Sequence, residues 1–311
     1  MRNFVLLALV NLLWALQFPA SRVASQELQP MTLTWFAMLL ATILMLPVAW
    51  FERREARLPA PRQWYSKYGP VILLGISGSL VAQTCLNWGL EKSPASNASV
   101  LNLTVPVLMA ILATVFLGER MSLTRWVSFG LAIPGVALAS EIRWTETSFF
   151  ENKHFVGNLL VFISCWGSAF YNVYSKRVLD WLGPAQLLVA TFSVSLAALL
   201  PVLLIYEPDP LSRLRTASSA SVVGLLLVGV LSLALAMFLY FRVLGEVEAT
   251  QASLSIYFLP IFGLLLSGAA LHETVSLSLI AGGVLVGAGA WLITVREPNA
   301  PTSSPLHETS H

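Results

Sequence analysis

Charge is scarce in this chain. Of 311 residues only 11% are Asp, Glu, Lys or Arg, against roughly 25% in an ordinary soluble domain. So few charged side chains cannot cover a water-facing surface, and the expected solvent is lipid. The net charge of +2 is small and scattered, which excludes a basic face for nucleic acid. Cysteine is scarcer still. Cys85 and Cys165 both stand in apolar runs; they exclude a disulfide framework and a thiolate metal spacing, and read as small packing residues. A third lack is one of placement. No ionisable residue stands clearly inside an apolar run: Arg22, Glu119, Arg242, His272 and Glu273 all fall at run ends. A charge at the bilayer centre marks function by default. Its absence argues against a mid-membrane carboxylate relay and against the Lys/Arg pair that a phosphorylated solute would need. The nucleophile, base or metal set of a lipid-processing enzyme is missing as well. No metal, no cofactor and no enzymatic activity are expected.

What is present is apolar length. Hydrophobic residues make up 56% of the chain and mean hydropathy is +0.74. Runs of about 20 residues suit a bilayer crossing. Ten spans are expected, near 3–21, 32–50, 69–90, 95–117, 122–140, 156–178, 184–206, 219–243, 249–270 and 276–295. All should be helices, because a spanning segment must satisfy its own backbone. The start of the chain, with Arg2, an apolar run and FPASRVAS, has some features of a secretion signal. Asn11 and Gln17 interrupt that run and many spans follow it, so it reads as a retained first span. With the N-terminus in the cytoplasm, twelve Lys and Arg fall on inside segments and six on outside segments. Both termini are therefore expected inside. The tail 296–311 is polar, rich in Pro, Ser and Thr, and reads as disordered.

One stretch occurs twice. Ala95–Glu119, ASNASVLNLTVPVLMAILATVFLGE, and Ala249–Glu273, ATQASLSIYFLPIFGLLLSGAALHE, align Pro106 with Pro260 at a shift of 154 positions. The same shift maps Ala98 onto Ala252, Ser99 onto Ser253, Glu119 onto Glu273 and Gly135 onto Gly289. This predicts two five-helix repeats, 1–145 and 152–295. An odd number of spans per repeat sets the second upside down relative to the first. That is the build of many secondary transporters, whose inverted halves rock about a midplane site.

The spans carry neutral polarity in stripes. Ser164, Ser168, Tyr171, Asn172 and Ser175 share one helical face. Gln83 and Asn87 are one turn apart; Asn11, Trp14 and Gln17 occupy neighbouring turns; Asn102 and Tyr257 stand close before Pro106 and Pro260; Tyr240 matches Asn87 at a shift of 153. Lipid rejects such groups, so they either line a solvated cavity or bond neighbouring helices. The candidate cavity lining is accordingly Asn11, Trp14, Gln17, Gln83, Asn87, Asn102, Ser168, Tyr171, Asn172, Tyr240 and Tyr257. Pro106 and Pro260 free a carbonyl in mid-helix, giving a packing kink or a hinge. Glu119 and Glu273 read as caps at the next span or as gate residues. Gly283 and Gly287, a GxxxG pair, permit close helix approach, either internally or in a homodimer.

With these motifs, and with Trp166-Gly167 in the sixth span, the chain from residue 3 to about 295 resembles the drug/metabolite transporter superfamily, specifically the ten-span EamA-type permeases. Trp14-Ala15 stands where the first half of such a chain often has Trp-Gly, and His272-Glu273 stands in place of Gly-Glu. The resemblance adds Trp166 to the candidate lining. It implies an all-α permease of the bacterial inner membrane with a central cavity, often exporting amino acids or other metabolites. The expected partners are the bilayer and a small amphipathic or zwitterionic solute. A sugar-phosphate or nucleotide-sugar exchanger of the same fold is the alternative; a lipid enzyme or a non-transporting scaffold is more remote.

Overall fold

The computed structural model describes residues 2–53, 64–93, 98, 101–102, 104–118, 122–139, 155–207 and 209–271, and scattered positions from 277 to 292. Among these there are helices and no strand. Six helices are long and apolar enough to cross a membrane: Arg2–Ala24, Pro30–Glu52, Tyr68–Lys92, Phe155–Leu179, Pro184–Tyr206 and Ser219–Leu244. Shorter apolar helices run over Thr104–Leu117, Leu123–Ala139 and Phe258–Leu271. The outer surface is studded with bare aliphatic side chains, among them Ile43, Leu46, Val115 and Ile205, as befits a molecule dissolved in hydrocarbon.

The first crossing is not one continuous helix. It breaks into Arg2–Ala15 and Gln17–Ala24. Pro19 has no N–H to return to the Ala15 carbonyl, so the ladder lapses there. Two other crossings contain wide π-helical turns. These cover Leu74–Leu80 and Leu227–Ala236, and their first residues are 153 positions apart. Such turns are found mostly inside α-helices and often at functional sites.

Helices Pro30–Arg53 and Pro184–Tyr206 begin 154 positions apart and carry internal prolines, Pro47 and Pro201, at the same offset. They lie antiparallel and close each other's ends. Glu207, just past the end of one, accepts the Met31 and Thr32 amides at 3.0 and 2.7 Å and the Thr32 hydroxyl at 2.7 Å. Glu52, near the end of the other, accepts the Ala185 and Gln186 amides at 3.3 and 3.1 Å. Each carboxylate meets the donor-rich, positive end of a helix dipole.

Glycine sets how near the helices come. A Cβ on Gly167 would stand 2.9 Å from the Ala82 nitrogen, and one on Gly78 would stand 3.0 Å from the Tyr171 Cβ. The π-turn of the third crossing therefore touches helix Phe155–Leu179 backbone to backbone. Ser79 and Ser195 hydroxyls meet at 2.7 Å, and Ser195 also donates to the Gly75 carbonyl at 2.8 Å. These bonds satisfy polar groups that hydrocarbon could not.

Candidate functional site

Between these helices lies a cavity with about 80 Å³ of room. That is several times the roughly 10–15 Å³ a cavity needs to admit one water. Its polar lining is Trp14, Gln17, Ser79, Gln83, Asn102, Ser168, Tyr171 and Asn172. The rest is apolar: Phe18, Ala82, Leu86, Val105, Phe192, Met237, Ile256 and Leu259. Among the described residues no lining side chain is charged.

Local structure explains why these groups converge. The turn at Leu16 re-aims Gln17 and Phe18 relative to Trp14. One π-turn ends three residues before Gln83 and the other directly before Met237, and both side chains line the lumen. Gln17 donates from Nε2 to Gln83 Oε1 at 2.8 Å. Asn102 engages its Nδ2 on the Ala98 carbonyl at 2.9 Å. The Tyr171 hydroxyl meets Thr191 Oγ1 at 2.7 Å. Asn172 Nδ2 points to the Met109 sulfur at 3.9 Å, a weak acceptor.

Seven expected lining residues thus meet at one place: Trp14, Gln17, Gln83, Asn102, Ser168, Tyr171 and Asn172. The other five do not line it. Asn11 is buried and donates to the Leu7 carbonyl at 2.7 Å and to Ser255 Oγ at 3.1 Å. Asn87 is buried and donates to Thr34 Oγ1 at 2.8 Å. Both bond helix to helix. Tyr240 packs on the Trp14 ring with centroids 4.9 Å apart, and Tyr257 packs beside Phe129 at 6.4 Å. They support the wall from behind. Trp166 is a correction of a different kind. It is 44% exposed on the outer face, because two residues along a helix turn a side chain about 200° away from Ser164 and Ser168.

The prolines also differ from expectation. Pro106 and Pro260 each take the third position of a helix, in Thr104–Leu117 and Phe258–Leu271. In a first turn the missing N–H leaves no intrahelical bond unmade, so neither proline kinks a helix in its middle. A turn at Asn102 and a 3₁₀ turn at Ser255–Tyr257 precede them. Glu119, Glu273, Gly283 and Gly287 lie outside the described residues.

The apolar lining carries no polar stripe, but it does carry a signal in sequence. Twelve of the sixteen lining residues form six pairs 154 positions apart: Trp14 with Ser168, Gln17 with Tyr171, Phe18 with Asn172, Gln83 with Met237, Asn102 with Ile256 and Val105 with Leu259. Applying the shift to each polar candidate would have found Met237 and Ile256.

Basic side chains close helix ends beyond the cavity. Arg22 donates to the Leu90 carbonyl at 2.6 Å, and Lys176 donates to the Val247 carbonyl.

The chain matches the EamA-like transporter family over residues 2–141 and 155–295. It belongs to that family. Several curated relatives of this family member align over nearly its whole length. An "Uncharacterized transporter" of Archaeoglobus fulgidus is 26% identical, with 95% of this chain and 98% of the relative aligned. The "Uncharacterized transporter YoaV" of Bacillus subtilis is 22% identical over 92% and 94%. A protein of Streptantibioticus cattleyicolor named "Probable terminal-alkyne amino-acid exporter" is 26% identical over 93% and 92%. A solved crystal structure superposes with a TM-score of 0.73 at 17% identity, covering 94% of this chain and 96% of its own; that likeness concerns the fold. The chain is a multi-pass membrane protein of a transporter family.

Proposed function

We propose that this EamA family member is a secondary carrier that exports small amphipathic or zwitterionic metabolites, amino acids or similar, by alternating access. It acts as a carrier and not as an enzyme. Its ten spans form two inverted five-helix repeats, 1–145 and 152–295, in a bacterial inner membrane with both termini cytoplasmic. The observation that carries this reading is the uncharged cavity whose lining residues pair at one sequence shift. A site built from matching positions of two halves sits where a rocking motion would expose it to each side in turn. The reciprocal caps support inversion, since helices at matching positions run antiparallel. The breaks before Pro106 and Pro260 are where such a motion would bend, with Glu119 and Glu273 as gate residues.

The lining also bears on the solute. A phosphate would call for a cation within hydrogen-bond reach, and the lining offers amides, hydroxyls, rings and aliphatic groups. That favours a solute without strong net charge over a sugar phosphate. The amino-acid exporter among the relatives points the same way.

The test is transport by purified protein in liposomes, against a panel of amino acids and metabolites, with and without a proton gradient. Gln83→Leu and Asn172→Leu are expected to lower transport severalfold while membrane insertion stays normal. Unaltered transport in both variants removes the cavity from the mechanism.

A further inference from the structure

The cavity is paired by position but not by chemistry. In the first half, Gln17, Gln83 and Asn102 bring three amides from three helical segments. At the positions 154 further on, Met237 stands for Gln83 and Ile256 for Asn102. Among the described residues, segments 184–206, 237–244 and 255–271 contribute Phe192, Met237, Ile256 and Leu259 to the lining, all apolar. The described lining from these three segments therefore cannot hydrogen-bond, whereas Gln17, Gln83 and Asn102, and Ser168, Tyr171 and Asn172 of helix Phe155–Leu179, can.

The three amides are specific about what they offer. Gln17 and Gln83 share one N–H···O bond. A primary amide has a carbonyl acceptor and an NH₂ donor, so the pair keeps one carbonyl and one NH₂ wholly uncommitted for a guest. Turning both amides over exchanges which residue gives which, and leaves the offer unchanged. Asn102, with its Nδ2 held by Ala98, adds a second acceptor. Met237, Ile256 and Leu259, at 6%, 4% and 4% exposure, are dry apolar lining.

Resting on the carrier reading above, the geometry points to a specificity wall. The solute's hydrogen-bonding group docks at Gln17, Gln83 and Asn102, and its apolar side chain lies on Met237, Ile256 and Leu259, which set the solutes accepted. Each methylene moved from water onto that wall tightens binding about fourfold, until the wall is covered.

The experiment is competition for transport in liposomes by the straight-chain series glycine, alanine, 2-aminobutyrate, norvaline and norleucine. Wild type is expected to bind about fourfold more tightly per added methylene over the first steps. Met237→Gln flattens that slope, because a longer side chain then strips water from an amide it cannot satisfy. Met237→Ala, which buries no polar group and keeps the wall apolar, retains the slope and extends it to longer members. Gln83→Leu weakens the whole series by one common factor and leaves the slope alone. If wild type shows the slope and neither Met237 variant alters it, the wall assignment is overturned and the carrier reading stands. If wild type carries members of the series without any dependence on length, the wall is likewise overturned alone. If wild type transports or binds none of them, the carrier reading for such solutes fails and takes the wall with it.

Discussion

Glu52 and Glu207 stand at opposite ends of one antiparallel helix pair, each capping the helix that the other terminates. The two caps are unequal. Glu207 is 5% exposed and takes three bonds no longer than 3.0 Å. Glu52 is half-buried and takes two longer ones. Glu207→Ala strands three donors and is expected to cost about 2–4 kcal/mol; Glu52→Ala is expected to cost about 1 kcal/mol. Thermal unfolding in detergent should rank them in that order, with Glu207→Gln between.

Gly167 tests the close contact of helices Tyr68–Lys92 and Phe155–Leu179. Gly167→Ala places a methyl group 2.9 Å from the Ala82 nitrogen and 3.2 Å from the Gly78 carbonyl. Backbone cannot yield as a side chain would, so the expected cost is about 1–3 kcal/mol. Transport should fall as well, because the shift separates Gln83 from Ser168. Gly130→Ala is the control: nothing lies within 4 Å of its would-be Cβ, and a helical alanine there is expected to be neutral or stabilising.

Glu27 supplies a pH dependence outside the membrane-spanning segments. The Ser218 amide, 2.6 Å from its carboxylate, with help from the Ser218 and Ser221 hydroxyls, holds Glu27 below the ordinary carboxylate range. A lowered pKa in the folded state means the contribution is complete above the ordinary carboxylate pKa. It is lost as pH falls through the lowered value. Melting temperatures of wild type and Glu27→Gln should differ slightly at neutral pH, wild type being higher. They should converge in acid.

Two tryptophans separate lumen from lipid. Trp14 lines the cavity and packs on Tyr240; Trp166 faces outward. Trp14→Ala should lower transport at least tenfold, whereas Trp166→Leu should leave it within about twofold of wild type. Initial uptake rates in liposomes at equal protein density decide this.

Much of the helical layout was legible in composition. The expected span 184–206 coincides with helix Pro184–Tyr206, because Gly-Pro marks its start and the apolar run lasts to Tyr206. The expected span 3–21 is interrupted at Leu16, and Pro19 is the residue that could have announced it. Of the stripe Ser164, Ser168, Tyr171, Asn172 and Ser175, the middle three line the lumen and the two end serines are buried outside it. Trp166 entered with a family motif instead of the stripe, and it lies off that face. Asn11 and Asn87 show why a polar residue in a span is ambiguous: sequence gives its face, but the neighbour that takes its hydrogen bond is distant in the chain. The π-turns leave no mark in side-chain chemistry, since they alter backbone register alone. The reciprocal caps join residues 133 to 176 positions apart, beyond the reach of local pattern.

Those long separations set a timetable for the growing chain. Thr32 precedes Glu207 by 175 residues, and translation at about 5–20 residues per second puts roughly 10–35 s between their syntheses. For that interval the helix beginning at Pro30 is inserted without its carboxylate. The helix beginning at Pro184, made later, finds Glu52 already waiting. A nascent chain is thus finished at its oldest end by one of its youngest residues, and ribosomes that stop short of position 207 release a product whose early helix can never be closed.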